Sequence, residues 1–302
     1  MSADTASDRG NLRAYLVLST AALCWAANAV FGRLAVGEIS PLLLVSFRWL
    51  GVLLLLCVFA RRYFLQDLPV LRTRWRFLSA MGALGFAVFN ALFYLAAHTT
   101  TAINLGILQG AMPVFVVIGM FAVYRTQVTK IQFAGVLVTI FGIVIVGSGG
   151  SLSRLAALRF NVGDLLMLAA CALYAGYTVG LRRRPAVSSL GLFTAIVAAA
   201  FLATLPLVGV EAMLGQLQWP TPKGWILIVM ITLFPSFLAQ ICFLQGVTLI
   251  GPNRAGVFVN LVPVFASILA VIFLRETFEY FHAAALILVL GGIWLSERGK
   301  AE

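Results

Sequence analysis

An acid, a base or a metal centre in this chain would have to be built from ten carboxylates, two histidines and four cysteines. The carboxylates, Asp4, Asp8, Glu38, Asp67, Asp164, Glu211, Glu276, Glu279, Glu297 and Glu302, fall in tails, in connections or at the ends of apolar runs. There is no His-Glu-x-x-His pair, no close carboxylate pair inside an apolar run and no glycine-rich phosphate loop. Cys24, Cys57, Cys171 and Cys242 lie within apolar runs without metal spacing, where a thiol behaves as a small hydrophobe. No metal, cofactor or disulfide is expected, and chemistry on a substrate is not the expected activity. What the apolar runs do carry is neutral: the amides Asn28, Asn90 and Gln240 and the rings Trp25, Tyr94, Tyr174, Tyr177 and Phe243. Such groups hydrogen-bond and stack, which is chemistry for holding a small amphipathic or zwitterionic solute.

Their spacing is informative. Asn90 and Tyr94 are four residues apart and share a helix face with Ala97 and His98. A shift of 150 residues sets Gln240 opposite Asn90 and Phe243 opposite Phe93, and a shift of 149 sets Tyr174 opposite Trp25 and Tyr177 opposite Asn28. An amide in lipid is costly unless paired, and a single one serves as well to glue two helices together. Matching depths in two halves, together with aromatic rings, favour a lined cavity.

The elements that must position these groups follow from composition. Hydrophobic residues make up 62% of the chain and charged ones 10%, which no soluble domain of this length could cover with polar groups. A crossing takes about 20 apolar residues, and long continuous runs exclude the short alternating segments of a membrane barrel. The runs read as spans over 15–36, 41–60, 76–98, 102–124, 131–149, 162–181, 189–213, 224–248, 252–274 and 280–296. Residues 1–11 read as a disordered tail. The first run is too long for a cleaved signal core and is followed by many others.

The stretch 102–145 recurs at 252–295: Gly106, Pro113, Val114, Phe115, Ile118, Arg125, Ala134, Gly142 and Ile143 each meet their own kind 150 residues on. Two five-span halves, 12–150 and 160–298, follow. Because five is odd, the second must enter the bilayer inverted, so the expected fold is an all-α membrane protein of ten helices in two inverted five-helix repeats, a transporter design. Pro113 and Pro263 are expected to kink their helices. Gly106, Gly110 and Gly256 are expected to permit close packing, with Gln109 and Asn260 as gate contacts near the bends.

Lys and Arg concentrate in the connections that share a side with the N-terminus, among them Arg61, Arg62, Arg72, Arg74, Arg76, Arg125, Lys130 and Arg182 to Arg184, whereas Arg33, Arg154, Arg159, Lys223 and Arg275 fall on the other. Both termini are therefore expected in the cytoplasm. The net charge of +11 is accounted for by these connections and anionic lipid, with no nucleic-acid partner. Arg48 stands about 10 Å into its span, at a cost of about 2.5–3.5 kcal/mol on insertion scales. Either it snorkels toward Glu38 or the surface, or it lines a cavity. No titratable group stands out in mid-span, so passive transport or a less visible coupling group is expected.

Two five-span halves, a Gly-x6-Pro-Val-Phe helix in each, Trp25 and Tyr174 in their first spans, Arg48 in the second and the Leu274-Arg275-Glu276-Thr277 turn make the chain similar to the EamA family of drug/metabolite transporters. Its aromatic-rich spans and the segment from Asn90 to His98 most resemble the YddG-type exporters of aromatic and other neutral amino acids. That resemblance implies alternating access, amino-acid export and a bacterial inner membrane. Thr126 departs from the pattern, since the family often carries an acid there. Carriers of other metabolites or drugs share the fold, and a non-transporting scaffold is a further alternative.

Overall fold

The structure, a computed structural model, describes residues 2–151, 153 and 161–299, with side chains from residue 12 onward except those of 252 and 253. Residues 2–11, expected as a disordered tail, are instead the first turns of a helix that runs from Ser2 to Leu34; Met1, Arg154 and Arg159 lie outside the described residues. Every regular element among the described residues is helical, and ten segments are long and apolar enough to cross a membrane. Helices prevail because a span in lipid must satisfy its own backbone hydrogen bonds.

The first half comprises α1 (Ser2–Leu34) and α2 (Pro41–Phe59), then α3 (Arg61–Thr73), a short basic helix that sequence had left as a connection. The third span is α4 (Trp75–Gly82), a π segment (Ala83–Val88) and α5 (Phe89–Ala96); the fourth is α6 (Ala102–Leu108), a 3-10 turn and α7 (Met112–Tyr124); the fifth is α8 (Lys130–Gly147). The second half repeats the plan with α9 (Val162–Gly180), α10 (Ser189–Met213), α11 (Pro222–Ile231), a second π segment (Thr232–Leu238), α12 (Ala239–Ile250), α13 (Pro252–Val257), a 3-10 turn, α14 (Val262–Leu274) and α15 (Tyr280–Arg298).

Local chemistry sets the ends. The side chains of Thr101, Thr129, Asn161, Ser188 and Thr221 accept hydrogen bonds from the first backbone N–H groups of α6, α8, α9, α10 and α11, satisfying donors a helix start leaves open. Arg125 and Arg275 close α7 and α14 in the left-handed region, with φ of 53° and 55°, so the repeated arginine is a C-terminal turn residue in both halves. The two prolines do not kink continuous helices. Pro113 and Pro263 sit in the first turns of α7 and α14, after 3-10 turns at Gln109–Ala111 and Phe258–Leu261. Proline lacks the N–H that an i−4 bond would need, and the chain breaks the helix there instead of bending it.

The halves are antiparallel and interdigitated. α1 packs on α12 and α14, α9 packs on α5 and α7, α2 faces α10, and α8 faces α15. At the α8–α15 crossing a Cβ on Gly135 would lie 2.5 Å from the carbonyl oxygen of Gly292, and one on Gly142 would lie 2.9 Å from that of Ala285. Since 285 and 292 are the repeat mates of 135 and 142, one contact is made twice about a pseudo-two-fold axis.

Candidate functional site

The third and eighth spans each contain a π segment ending two residues before a buried or half-buried amide, Asn90 and Gln240. A π turn holds one residue more than an α turn and re-aims the side chains that follow. Pro235 within the second segment supplies a cause, since it cannot donate an α-helical hydrogen bond. In the first, Asn90 Nδ2 donates to the carbonyl oxygen of Phe86 at 2.7 Å, and in the second Ser236 Oγ donates to that of Ile231 at 2.6 Å.

Arg48 is the hub of the polar interior. Its Nη1 donates to Asn28 Oδ1 at 3.1 Å, to Asn90 Oδ1 at 2.7 Å and to the Tyr94 hydroxyl at 2.7 Å. The Tyr94 hydroxyl donates in turn to Asn28 Oδ1 at 2.8 Å. Arg48 is 5% exposed, so it does not snorkel. Nor does it reach Glu38, which instead takes hydrogen bonds from Thr221 and Lys223 that hold its carboxyl below the usual range. The guanidinium lies 4.9 Å from the Trp49 ring centre and 5.9 Å from that of Tyr94. Three polar atoms of α2 and of the π segment packed against it stay buried without partners: Arg48 Nε, Trp49 Nε1 and Thr232 Oγ1. Gly51, one turn beyond Arg48, has no side chain to keep Thr232 away, whose Oγ1 stands 3.0 Å from where a Cβ would be. Each unmatched group costs about 1–3 kcal/mol.

A run of rings leads away from this node. Trp49 stacks on Phe86 at 4.9 Å, Phe86 meets Tyr177 at 5.1 Å, Tyr177 meets Tyr174 at 5.4 Å, and Tyr174 meets Phe89 at 5.1 Å. Trp25 and Phe243 form a separate pair at 5.3 Å between α1 and α12. The structure thus joins Asn28, Asn90 and Tyr94 directly, links Tyr174 and Tyr177 to them through Phe86, and sets Trp25 and Phe243 apart with Gln240 half-buried on the same helix as Phe243. His98 lies one turn past Tyr94, largely open to solvent and outside this network; the desolvation of its less accessible part and the charge of Arg33 hold its pKa below the ordinary imidazole value. Sequence reading missed Trp49, Phe86, Phe89 and Thr232. The charge at Arg48 was their one visible signal.

Carboxylates clasp the helix ends across the halves. Glu211, 3% exposed, accepts from Ser40 Oγ and from the backbone N–H groups of Leu42 and Leu43 at the start of α2. Asp67 accepts from the N–H and hydroxyl of Ser188 at the start of α10. Glu276 accepts from the N–H groups of Ala102 and Ile103 at 2.8 and 3.0 Å, at the start of α6. Negative charge there meets open donors and the positive end of a helix dipole. Asp164, 3% exposed, accepts from Thr100 Oγ1 and Asn104 Nδ2 beside the same start. The fourth place, by repeat, belongs to Thr126, and its hydroxyl donates back to the carbonyl oxygen of Met120.

The two gate helices differ accordingly. α6 packs on α14, α1, α9, α15 and α8, whereas α13 packs mainly on the elements adjoining it in sequence. A Cβ on Gly106 would lie 2.4 Å from that of Ala266, and one on Gly110 would lie 2.2 Å from Val289 Cγ1, but one on Gly256 would meet nothing within 4 Å. Close packing holds for the first two glycines and fails for Gly256. Gln109 Nε2 donates to the carbonyl oxygen of Leu105 in its own helix, and Asn260 is half-buried. Among the described residues no three His, Cys, Asp or Glu side chains are placed to hold a metal.

Comparison with known proteins gives concordant results. The model of the EamA-like transporter family matches residues 12–148 and again 161–298. The chain is 28% identical over 293 residues to the uncharacterized transporter YetK of Bacillus subtilis, covering 96% of this chain and 88% of that protein. It is 27% identical over 290 residues to an uncharacterized transporter of Archaeoglobus fulgidus, covering 95% and 98%. One solved crystal structure shares its fold at a TM-score of 0.64 and 20% identity, covering 94% of this chain and 96% of its own.

Proposed function

Since the chain belongs to the EamA-like transporter family, we propose that it is an alternating-access carrier that exports amino acids, large neutral or aromatic ones, across a bacterial inner membrane with both termini in the cytoplasm. The observation that carries this reading is the joining of amides, rings and a guanidinium from α1, α2 and α5 at one buried node flanked by the tyrosines of α9. Rings offer an apolar solute body a stacking surface, and amides orient its polar end. Unequal gates support alternation: Glu276 clasps the start of α6, whereas among the described residues a Cβ on Gly256 of α13 would meet nothing within 4 Å. In the other state Gly256 takes up against Val116 the place that Gly106 holds against Ala266.

Uptake of labelled phenylalanine and leucine into proteoliposomes, with and without a proton gradient, tests the reading. Flux that unlabelled neutral amino acids suppress supports it. Flux suppressed only by other solutes makes the protein a carrier of a different metabolite, and no flux of any solute makes it a scaffold. Tyr94→Phe removes the hydroxyl shared by Arg48 and Asn28, and should lower flux roughly tenfold, the worth of a hydrogen bond to a charged group. Gln240→Ala should raise the half-saturating concentration severalfold. Wild-type flux in both variants, at normal yield and dispersity, would remove these residues from the site.

A further inference from the structure

No carboxylate among the described residues is paired with Arg48. Among the described residues the only salt bridge joins Lys223 to Glu38. Glu211, Asp67, Glu276 and Asp164 are committed to helix starts and neighbouring hydroxyl or amide groups, and Glu279 caps α15 with His282. The guanidinium is solvated by neutral oxygens that crowd onto Nη1 while Nε stays bare. Neutral oxygens ease the burial of a cation but leave its charge in place, and a buried charge without a partner is costly. Two further orphaned groups are the indole N–H of Trp49, next to Arg48 in α2, and the hydroxyl of Thr232, in the π segment that meets α2 at Gly51, with all three residues more than nine-tenths buried. Bare donors around an uncompensated cation describe the complement of an anion.

We infer that this node is an anion subsite that binds the carboxylate of the transported solute. Arg48 Nε and the Trp49 indole donate to the carboxylate, Thr232 closes the subsite from the second half, and the rings from Phe86 to Tyr174 face the solute's apolar body. The inference rests on the amino-acid reading only for what lies beyond the carboxylate. It makes the solute an organic acid or zwitterion, and excludes a bare amine or a cationic drug.

The test is calorimetric titration of the purified full-length protein with three probes: L-phenylalanine, 3-phenylpropionate, which keeps the carboxylate alone, and phenethylamine, which keeps the ammonium alone. Phenylpropionate should bind at least about tenfold more tightly than phenethylamine, as a charge-assisted contact predicts. Arg48→Gln should lose about tenfold or more of the phenylpropionate affinity, Arg48→Lys should keep part of it, and Trp49→Phe, which preserves the stack on Phe86, should lose a smaller share. If Arg48→Gln fails to fold, the Arg48→Lys and Trp49→Phe titrations decide. Phenethylamine binding as well as phenylpropionate, no binding of phenylpropionate, or unchanged affinity in the folded variants would overturn the subsite. Arg48-dependent phenylpropionate binding without amino-acid flux would refute the amino-acid reading and keep the subsite. Amino-acid flux indifferent to Arg48→Gln would do the reverse.

Discussion

Gly135→Leu should give a protein that melts roughly 5–10 °C below the wild type in detergent, while Gly291→Ala on the facing helix melts close to it. A Cβ at 135 would lie 2.4 Å from the backbone nitrogen of Ser296 and 2.5 Å from the carbonyl oxygen of Gly292. Backbone atoms cannot rotate out of the way, so α8 and α15 must separate along their length. Overpacking commonly costs about 1–3 kcal/mol, and this site should exceed that, because pushing the helices apart also undoes the mirrored contact at Gly142. Without water between helices in lipid, close packing is a main source of association. Gly291 meets nothing within 4 Å, and alanine there improves helix propensity. Equal melting of Gly135→Leu and wild type would show that the crossing is not load-sharing.

Glu276→Gln should loosen the clasp on α6 and shift the resting balance toward the state open at that end. A carboxylate on a helix start is worth about 1–2 kcal/mol, which is about a tenfold change in population. Two readouts follow. A cysteine at Ala102, 0% exposed, in a background free of native cysteines, should react about tenfold faster with an impermeant maleimide, and flux should change with it. Thr126→Glu is the mirror experiment, since it supplies an acid where the repeat has none and should slow labelling near Gly256. Unchanged labelling in both variants would sink the account of these carboxylates as gate clasps.

The spans were legible because lipid imposes a simple rule on composition, and the duplication because Gly, Pro and Arg matches are rare among apolar residues. Asn90 and Tyr94 were legible as a pair, being four apart on one helix. Their meeting with Asn28 and Arg48 was not, because it depends on how α1, α2 and α5 are rotated about their axes, and the π segment before Asn90 shifts that rotation. Arg48 was read as a cost with two outcomes, of which snorkelling is the one the structure rejects. Gly256 was expected to mirror Gly106 because sequence repeats report ancestry. A carrier open at only one end, as proposed here, breaks that symmetry, and in such a state one of the two glycines disagrees.

The residue at 126 reaches beyond the shape of one door. If the protein alternates as proposed, then with an acid on three helix starts and, in the fourth place, Thr126 turned back onto Met120, the idle molecule favours one posture, and solute arriving from that side finds a vacancy sooner. Half-saturation will therefore differ between the two sides of the bilayer. Microscopic reversibility forbids this preference from choosing a net direction, because a ligand can redistribute postures only by its differential affinity for them. Without an energy source, a low half-saturating concentration on one side must be matched by a proportionally low maximal rate from that side. Thr126 would then be a sensitivity setting, and without such a source the gradient alone would decide which way material moves.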